Sequence, residues 1–233
     1  MMSDGERQSG RSPYVSRAGL KLEYALRAFA ISPKDWPCAD LGANVGGFTD
    51  CLLQHGAASV YAVERGYGVL DDRLRRDVRV VAMERTDALS VTIPRGVRLV
   101  VVDAGWTRQH LILAAARRML SADGIVISLI KPHYEADPSR LVRGVLPDEY
   151  VDETLEAVRH TVAEAGWKIA GQTESPIRGR GGNREWLWLL EPSADAAEMT
   201  TNVVSAATRP SRRQACRSSY KRSARRRDPR RRR

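Results

Sequence analysis

The chain has 233 residues, 42% apolar and only 6% aromatic, a composition that predicts one globular domain with one sizeable core. Its three cysteines, Cys38, Cys51 and Cys216, are odd in number and form no CxxC pair, so they suggest neither a disulfide framework nor a structural zinc site, and a reducing cytoplasm is expected. The net charge of +10 is not spread evenly: thirteen of the 38 basic residues but one of the 28 acidic ones fall in Arg209 to Arg233, which leaves the rest of the chain near neutral.

Residues 1–13 are polar without an apolar stretch, and are expected to be disordered. "SRAGLKLEYALRAF" then repeats apolar residues at helical spacing, with Ser16 placed to cap it. "CADLGA" reads as a short strand ending in glycine, "GGFTDCLLQHG" as a helix closed by Gly56, and "SVYAVE" as a second strand. A short helix, "VLDDRLRRD", and a third strand, "VRVVAME", follow. "VRLVVVDAG" is the nearly continuous apolar run of a strand buried on both faces, followed by the helix "TRQHLILAAARRMLS". The longest apolar run, "GIVISLI", is far too short to span a bilayer and reads as a fifth strand stopped by Pro132, so no membrane association is expected. "HYEADPSRLVRGVLP", residues 133–147, reads as a loop able to act as a lid. Val151, Leu155, Val158, Val162 and Ala165 make one stripe on a helix, and the strands "WKIAGQTE" and "EWLWLLE" complete the body, with Trp186 and Trp188 on one face as core. The Arg-rich tail within residues 193–233 cannot offset the entropy of ordering itself; it is read as a disordered polyphosphate-binding arm, a solubilising end, or the product of a lost stop codon.

Strands alternating with helices predict a doubly wound α/β sheet, in which ligands sit at the carboxyl ends of the strands where the strand order reverses. Those ends carry Asp40 to Gly47, Glu64, Asp87, Asp103 and Lys131. In "ADLGANVGGFTD" the second glycine of a dinucleotide fingerprint is replaced by Asn44, so the turn with Gly42, Gly46 and Gly47 is poorly made for a diphosphate. Glu64 is placed to accept hydrogen bonds from two ribose hydroxyls. A nucleoside without phosphates satisfies both facts; S-adenosylmethionine is one, with Asp87 as an adenine contact. The alternative is that the glycines merely permit a tight turn.

The segments "YVSRAGLKL", "DLGANVGGFTDCLLQ", "VYAVERGYG", "RTDA", "LIKPHYEA" and "SPIRGRGGNREWL" together resemble the TlyA-type branch of the FtsJ-like RNA 2'-O-ribose methyltransferases, proteins often labelled hemolysin A. The resemblance runs from about Tyr14 to Leu190 and implies a methyltransferase domain over residues 14–192 with a Rossmann-like fold and a mostly parallel seven-stranded sheet. It implies S-adenosylmethionine binding along Asp40, Gly42, Ala43, Asn44, Gly46, Gly47, Phe48, Thr49, Glu64, Asp87 and Asp103. It further implies a catalytic tetrad of Lys21, Asp103, Lys131 and Glu185, with Lys131 the candidate base for a ribose hydroxyl, which is a poor nucleophile unless aligned and deprotonated. Singly these four have ordinary readings: a helix N-cap for Asp103, a snorkelling strand-end lysine for Lys131, a solvated helix residue for Lys21 and an edge-strand charge for Glu185.

Relatives usually carry an RNA-binding S4 domain ahead of the "YVSR" segment, whereas here thirteen polar residues precede Tyr14, and the tail is a candidate replacement for that grip. Trp106 in "DAGW" stands in altered register for an aromatic of the substrate pocket, and Arg65 puts a cation beside Glu64. Arg178, Arg180 and Arg184 are candidates for phosphate contact, or lie in a flexible hairpin loop. His55, His110, His133 and His160 have no metal-ligand spacing, so no metal is expected; His133 and Tyr134 either pack their loop or line the substrate pocket. The expected function is 2'-O-methylation of RNA, ribosomal RNA first. The rivals are methylation of a small hydroxylated metabolite and a non-catalytic RNA-binding or ribosome-assembly role.

Overall fold

The computed structural model describes residues 12–93, 96–105, 107–179 and 181–193. All of them lie in one compact unit. The expectations for the Arg-rich tail, for most of the N-terminal segment, and for Trp106 and Arg180 fall outside the described residues.

In chain order the elements are α1 (Ala18–Ala28), β1 (Pro37–Leu41), α2 (Gly47–Gln54), β2 (Ser59–Val63), α3 (Asp72–Arg76), β3 (Val80–Met83), β4 (Val97–Val102), α4 (Gln109–Met119), β5 (Leu120–Ile130), α5 (Pro132–Glu135), α6 (Val151–Glu164), β6 (Trp167–Glu174) and β7 (Trp186–Pro192). The sheet runs β3-β2-β1-β4-β5-β7-β6. Neighbours from β3 to β5 pair in parallel, as strands joined through crossover helices must. β7 lies antiparallel between β5 and β6, because β6 and β7 are joined directly by a hairpin loop.

Both faces of the sheet are buried, and the side chains of β4 sort by the two-residue period of a strand. Val100 and Val102 join the core beneath α4 and α6, while Leu99 and Val101 join the core beneath α1 and α2; Val97, ahead of the register shift between Val97 and Leu99, joins the first core out of that period. On β7 the same alternation sends Trp186 and Trp188 to the first core and Leu187 and Leu189 to the second. Val151, Leu155, Val158 and Val162 bury the predicted face of α6. Ala165 is exposed, because the helix ends at Glu164 and the next residue turns away from the stripe.

One local expectation holds and one changes. Ser16 Oγ accepts from the Ala18 N–H at 3.3 Å at the start of α1, with Arg17 between them already helical, so Ser16 supplies the cap bond expected of it. Residues 133–147 are not a free loop: α5 and a 3-10 turn at Pro138–Arg140 occupy them, and Leu146 is buried in the core. Asn183 clips the end of this segment, accepting from the Leu146 N–H at 2.9 Å and donating to the Gly144 carbonyl at 2.9 Å.

The chain turns back at β1, whose neighbours β2 and β4 lead to opposite sides of the sheet. The loops after β1 and β4 therefore separate and leave a crevice at the strand ends.

Candidate functional site

The turn after β1 takes three left-handed residues, Gly42 (φ 88°), Asn44 (φ 51°) and Gly46 (φ 99°). Asparagine is among the few side chains that tolerate this region, which explains how Asn44 replaces a glycine without breaking the bend. The amides of Gly42 and Ala43 both donate to the Val63 carbonyl at 3.0 Å, tying the turn to the end of β2. A Cβ on Gly42 would lie 2.8 Å from the Asp103 carbonyl oxygen, so its absence lets the turn close against the end of β4. The other two glycines serve packing: a Cβ on Gly46 would meet Leu74 at 2.2 Å, and one on Gly47 would meet Ser16 Oγ at 2.2 Å.

Two adjoining cavities, about 220 and 530 Å³, share Gly42, Asn44, Asp103 and Gly105 and form one cleft. The smaller holds Glu64 and Asp87. Both Glu64 oxygens already accept backbone amides, Oε2 from Asn44 at 2.8 Å and Oε1 from Gly66 at 2.6 Å. A carboxylate offers about four lone-pair sites, so Glu64 keeps acceptor capacity towards the cleft. Asp87 Oδ1 accepts from the Leu89 N–H at 2.9 Å and so holds its own loop.

Ala43, Gly47, Phe48 and Asp40 line the larger cavity. Gly46 and Thr49 line neither, and their roles are structural: Gly46 makes room for Leu74, and the Thr49 hydroxyl donates to Asp40 Oδ2 at 2.7 Å. Asp40 is fully buried, and its Oδ1 has no hydrogen-bond partner among the described residues. Burial pushes its carboxyl up to about 7; the Thr49 hydrogen bond works the other way, and the nearby Asp103 and Glu64 charges add to the rise.

Lys21, Asp103, Lys131 and Glu185 all line this larger cavity, although they come from α1, the end of β4, the end of β5 and the start of β7. They pair crosswise: Lys131 Nζ stands 2.6 Å from Asp103 Oδ1, and Lys21 Nζ donates to Glu185 Oε2. The Lys21–Glu185 pair is the more deeply buried, with 7% and 4% of the side chains exposed against 14% and 22% for Lys131 and Asp103. A solvated helix lysine and an edge-strand charge are thereby excluded for Lys21 and Glu185. Gly179 seats the Glu185 carboxylate, since a Cβ there would come within 2.3 Å of Oε1.

The strand end that carries Lys131 is braced on both sides by Gln109, the first residue of α4. Upstream, the Ser128 hydroxyl donates to Gln109 Oε1 at 2.7 Å; downstream, the Gln109 N–H donates to Glu135 Oε1 at 2.8 Å. Burial pushes the Glu135 carboxyl up, while the Gln109 amide and the Arg108 charge pull it down. Between the braced ends sits His133, which lines the larger cavity with the Tyr134 ring tilted against it at 4.1 Å between centroids. Its buried Nδ1 has no hydrogen-bond partner among the described residues. Burial and the Lys131 and Lys21 charges hold His133 down to about 4, so the imidazole is neutral at physiological pH.

Reading the sequence missed Ser16 and Arg17 as cavity residues; they lie in "YVSRAGLKL", where Tyr14 packs on Gly19. It also overestimated Arg184, whose guanidinium is held by both Glu174 oxygens at 2.8 and 2.7 Å. Among the described residues no helix is long and apolar enough to cross a membrane.

Comparison with known proteins gives the family and the fold. The family description "FtsJ-like methyltransferase" matches residues 14–191. The chain is 38% identical over 202 residues to the 16S/23S rRNA (cytidine-2'-O)-methyltransferase TlyA of Mycobacterium tuberculosis, covering 84% of this chain and 74% of that protein. It is 37% identical over 183 residues to Hemolysin A of Brachyspira hyodysenteriae, 75% of each chain. A solved structure described as a "putative hemolysin" from Streptococcus thermophilus superposes with a TM-score of 0.76 at 35% identity, covering 80% of this chain and 70% of that one.

Proposed function

Because this chain belongs to the FtsJ-like methyltransferase family, we propose that it methylates a ribose 2'-hydroxyl of RNA, with ribosomal RNA as the substrate and S-adenosylmethionine as the donor. The observation that carries the reading is the convergence of two lysine–carboxylate pairs on a cavity that adjoins a smaller, carboxylate-lined one. The cytidine-2'-O activity in the name of the M. tuberculosis relative makes cytidine the first nucleoside to test.

The residues fit the donor. Glu64 in the smaller cavity has acceptor capacity for ribose hydroxyls, and Asp87 stands on the same wall for a base. The orphaned Asp40 Oδ1 at the larger cavity is a buried acceptor in want of a donor, as an α-amino group would be. When bound, S-adenosylmethionine supplies a methyl group on a sulfonium. Everything else falls to the protein. Lys131 Nζ takes the proton of the attacking hydroxyl, which it does only in its neutral form, and Asp103 holds that nitrogen in place. Glu185 fixes Lys21, whose ammonium hydrogen-bonds the hydroxyl oxygen and sets its line of approach.

Tritiated methyl transfer to intact and separated ribosomal subunits tests this reading, with Lys131→Ala as the comparison. Loss of a positioned base lowers the rate by about 100- to 10,000-fold. Labelling by the variant at the parent rate would remove Lys131 from the chemistry.

A further inference from the structure

Most described arginines spend their charge on a neighbouring carboxylate: Arg75 on Glu84, Arg79 on Asp77, Arg140 on Glu153, Arg159 on Glu156 and Arg184 on Glu174. Arg17, which lines the larger cavity, and Arg178, whose backbone carbonyl Arg17 holds, do not. Arg17 Nη2 donates to the Arg178 carbonyl at 3.3 Å; Arg178 Nη1 in turn donates to the Gly182 carbonyl at 3.0 Å. Both are exposed, and neither forms an ion pair with a described residue. The Arg178 charge also reaches Glu174, but that carboxylate is already gripped by Arg184.

A backbone carbonyl orients a guanidinium without neutralising it, and each guanidinium has five donors of which one is used here. Inside the cavity the charges cancel in pairs, Lys21 with Glu185 and Lys131 with Asp103. At the other end of the cleft Glu64 and Asp87 outnumber Arg65. The cleft is therefore acidic at the smaller cavity and basic at the rim of the larger one. A polyanion is admitted at one end only.

We propose that Arg17 and Arg178 form a phosphate-gripping rim for single-stranded RNA, holding the backbone beside the target nucleotide so that its ribose enters the larger cavity. The inference rests on the RNA-methylation reading above and names where the substrate is held. Single-stranded RNA is the partner because a ribose reaches a recessed cavity only when its nucleotide is free of a helix. The rim is fixed in place from both sides. Val15 N–H donates to Asp50 at 2.8 Å just ahead of Arg17, and the Gly179–Asn183 turn beyond Arg178 is clipped to residues 144 and 146 through Asn183.

The test uses Arg17→Ala, Arg178→Ala and the double variant in the full chain, with Arg27→Ala, whose charge is engaged by Glu23, as the control. Affinity for a short labelled single-stranded RNA is measured across salt concentrations, and affinity for S-adenosylmethionine by calorimetry. The Arg-rich tail is present in every variant and cancels in the comparison. Each rim variant is expected to bind RNA several-fold more weakly at low salt and to reduce the slope of log K against log salt by about 0.7, one single-strand phosphate contact. S-adenosylmethionine affinity is expected to stay at the parent value. RNA affinity and slope equal to those of Arg27→Ala overturn the rim, as does a matching loss of S-adenosylmethionine affinity, which would mark a structural role. Lys131→Ala keeps the two readings apart: an inactive Lys131→Ala with parent-like rim variants sinks the rim alone, and a fully active one sinks the catalytic reading.

Discussion

Asp40 shows how one residue can be legible in type and illegible in state. Its place at the end of β1 follows from the sequence, but its buried, unpartnered Oδ1 and its carboxyl near 7 follow from α2 folding Thr49 and the glycine turn over it. With the folded value raised above the ordinary 3.8, the folded chain holds this proton longer than the unfolded chain as pH rises. Asp40 thus contributes most to stability below about pH 4, and the contribution is lost as pH rises towards about 7. His133 acts in the opposite sense: its value of about 4 lies below the ordinary 6.5, so its contribution is present above about pH 6.5 and lost as pH falls towards about 4. The two trends offset each other in the parent and are separated by substitution. For Asp40→Asn without ligand, melting temperatures are expected to gain on the parent progressively between pH 5 and 8. A constant difference over that range would contradict a buried, protonated Asp40. The same variant is expected to bind S-adenosylmethionine more weakly at pH 8, where the parent carboxylate is ionised.

At the scale of elements, the Gln109 brace joins α4, β5 and α5 around Lys131. It depends on one buried side-chain bond and one carboxylate at the start of an eleven-residue helix, where the unsatisfied amides favour an acceptor. Glu135→Gln keeps an acceptor for the Gln109 amide, whereas Glu135→Ala removes it. The alanine variant is expected to lose about 10- to 100-fold in kcat with little change in S-adenosylmethionine affinity, because a displacement near 1 Å at a reacting group costs that much. The glutamine variant is expected to recover most of the rate. Equal kcat in parent and alanine variant would show that α5 holds its position without the brace. The brace was not legible in advance, since Ser128, Gln109 and Glu135 are far apart in the chain and each reads as an ordinary helix or strand residue.

At the scale of the molecule, the two cores either side of the sheet make the described unit one body, so a ligand in the cleft should stabilise all of it. S-adenosylmethionine at about 100 times its Kd adds about 2.7 kcal/mol, or roughly 5–10 °C in Tm for a domain of this size. Lys131→Ala is expected to keep that shift, and Glu64→Ala to lose most of it. A parent without any shift would count against the cleft as the donor site.

The sequence by itself determined the alternating elements, the doubly wound sheet and the strand-end places of Asp103 and Lys131, because apolar period and strand-end position are local properties that one stretch of chain displays; Lys21 and Glu185 entered only through the resemblance of their motifs. Only the tertiary structure decided which charges meet and which remain unspent. Lys21 is buried against Glu185, Arg184 is claimed by Glu174, and Arg17 and Arg178 are hydrogen-bonded to backbone carbonyls without an ion pair to a described residue. Ion pairing acts between side chains a few ångströms apart in space, whatever their separation along the chain, so spacing in the sequence carries no record of it.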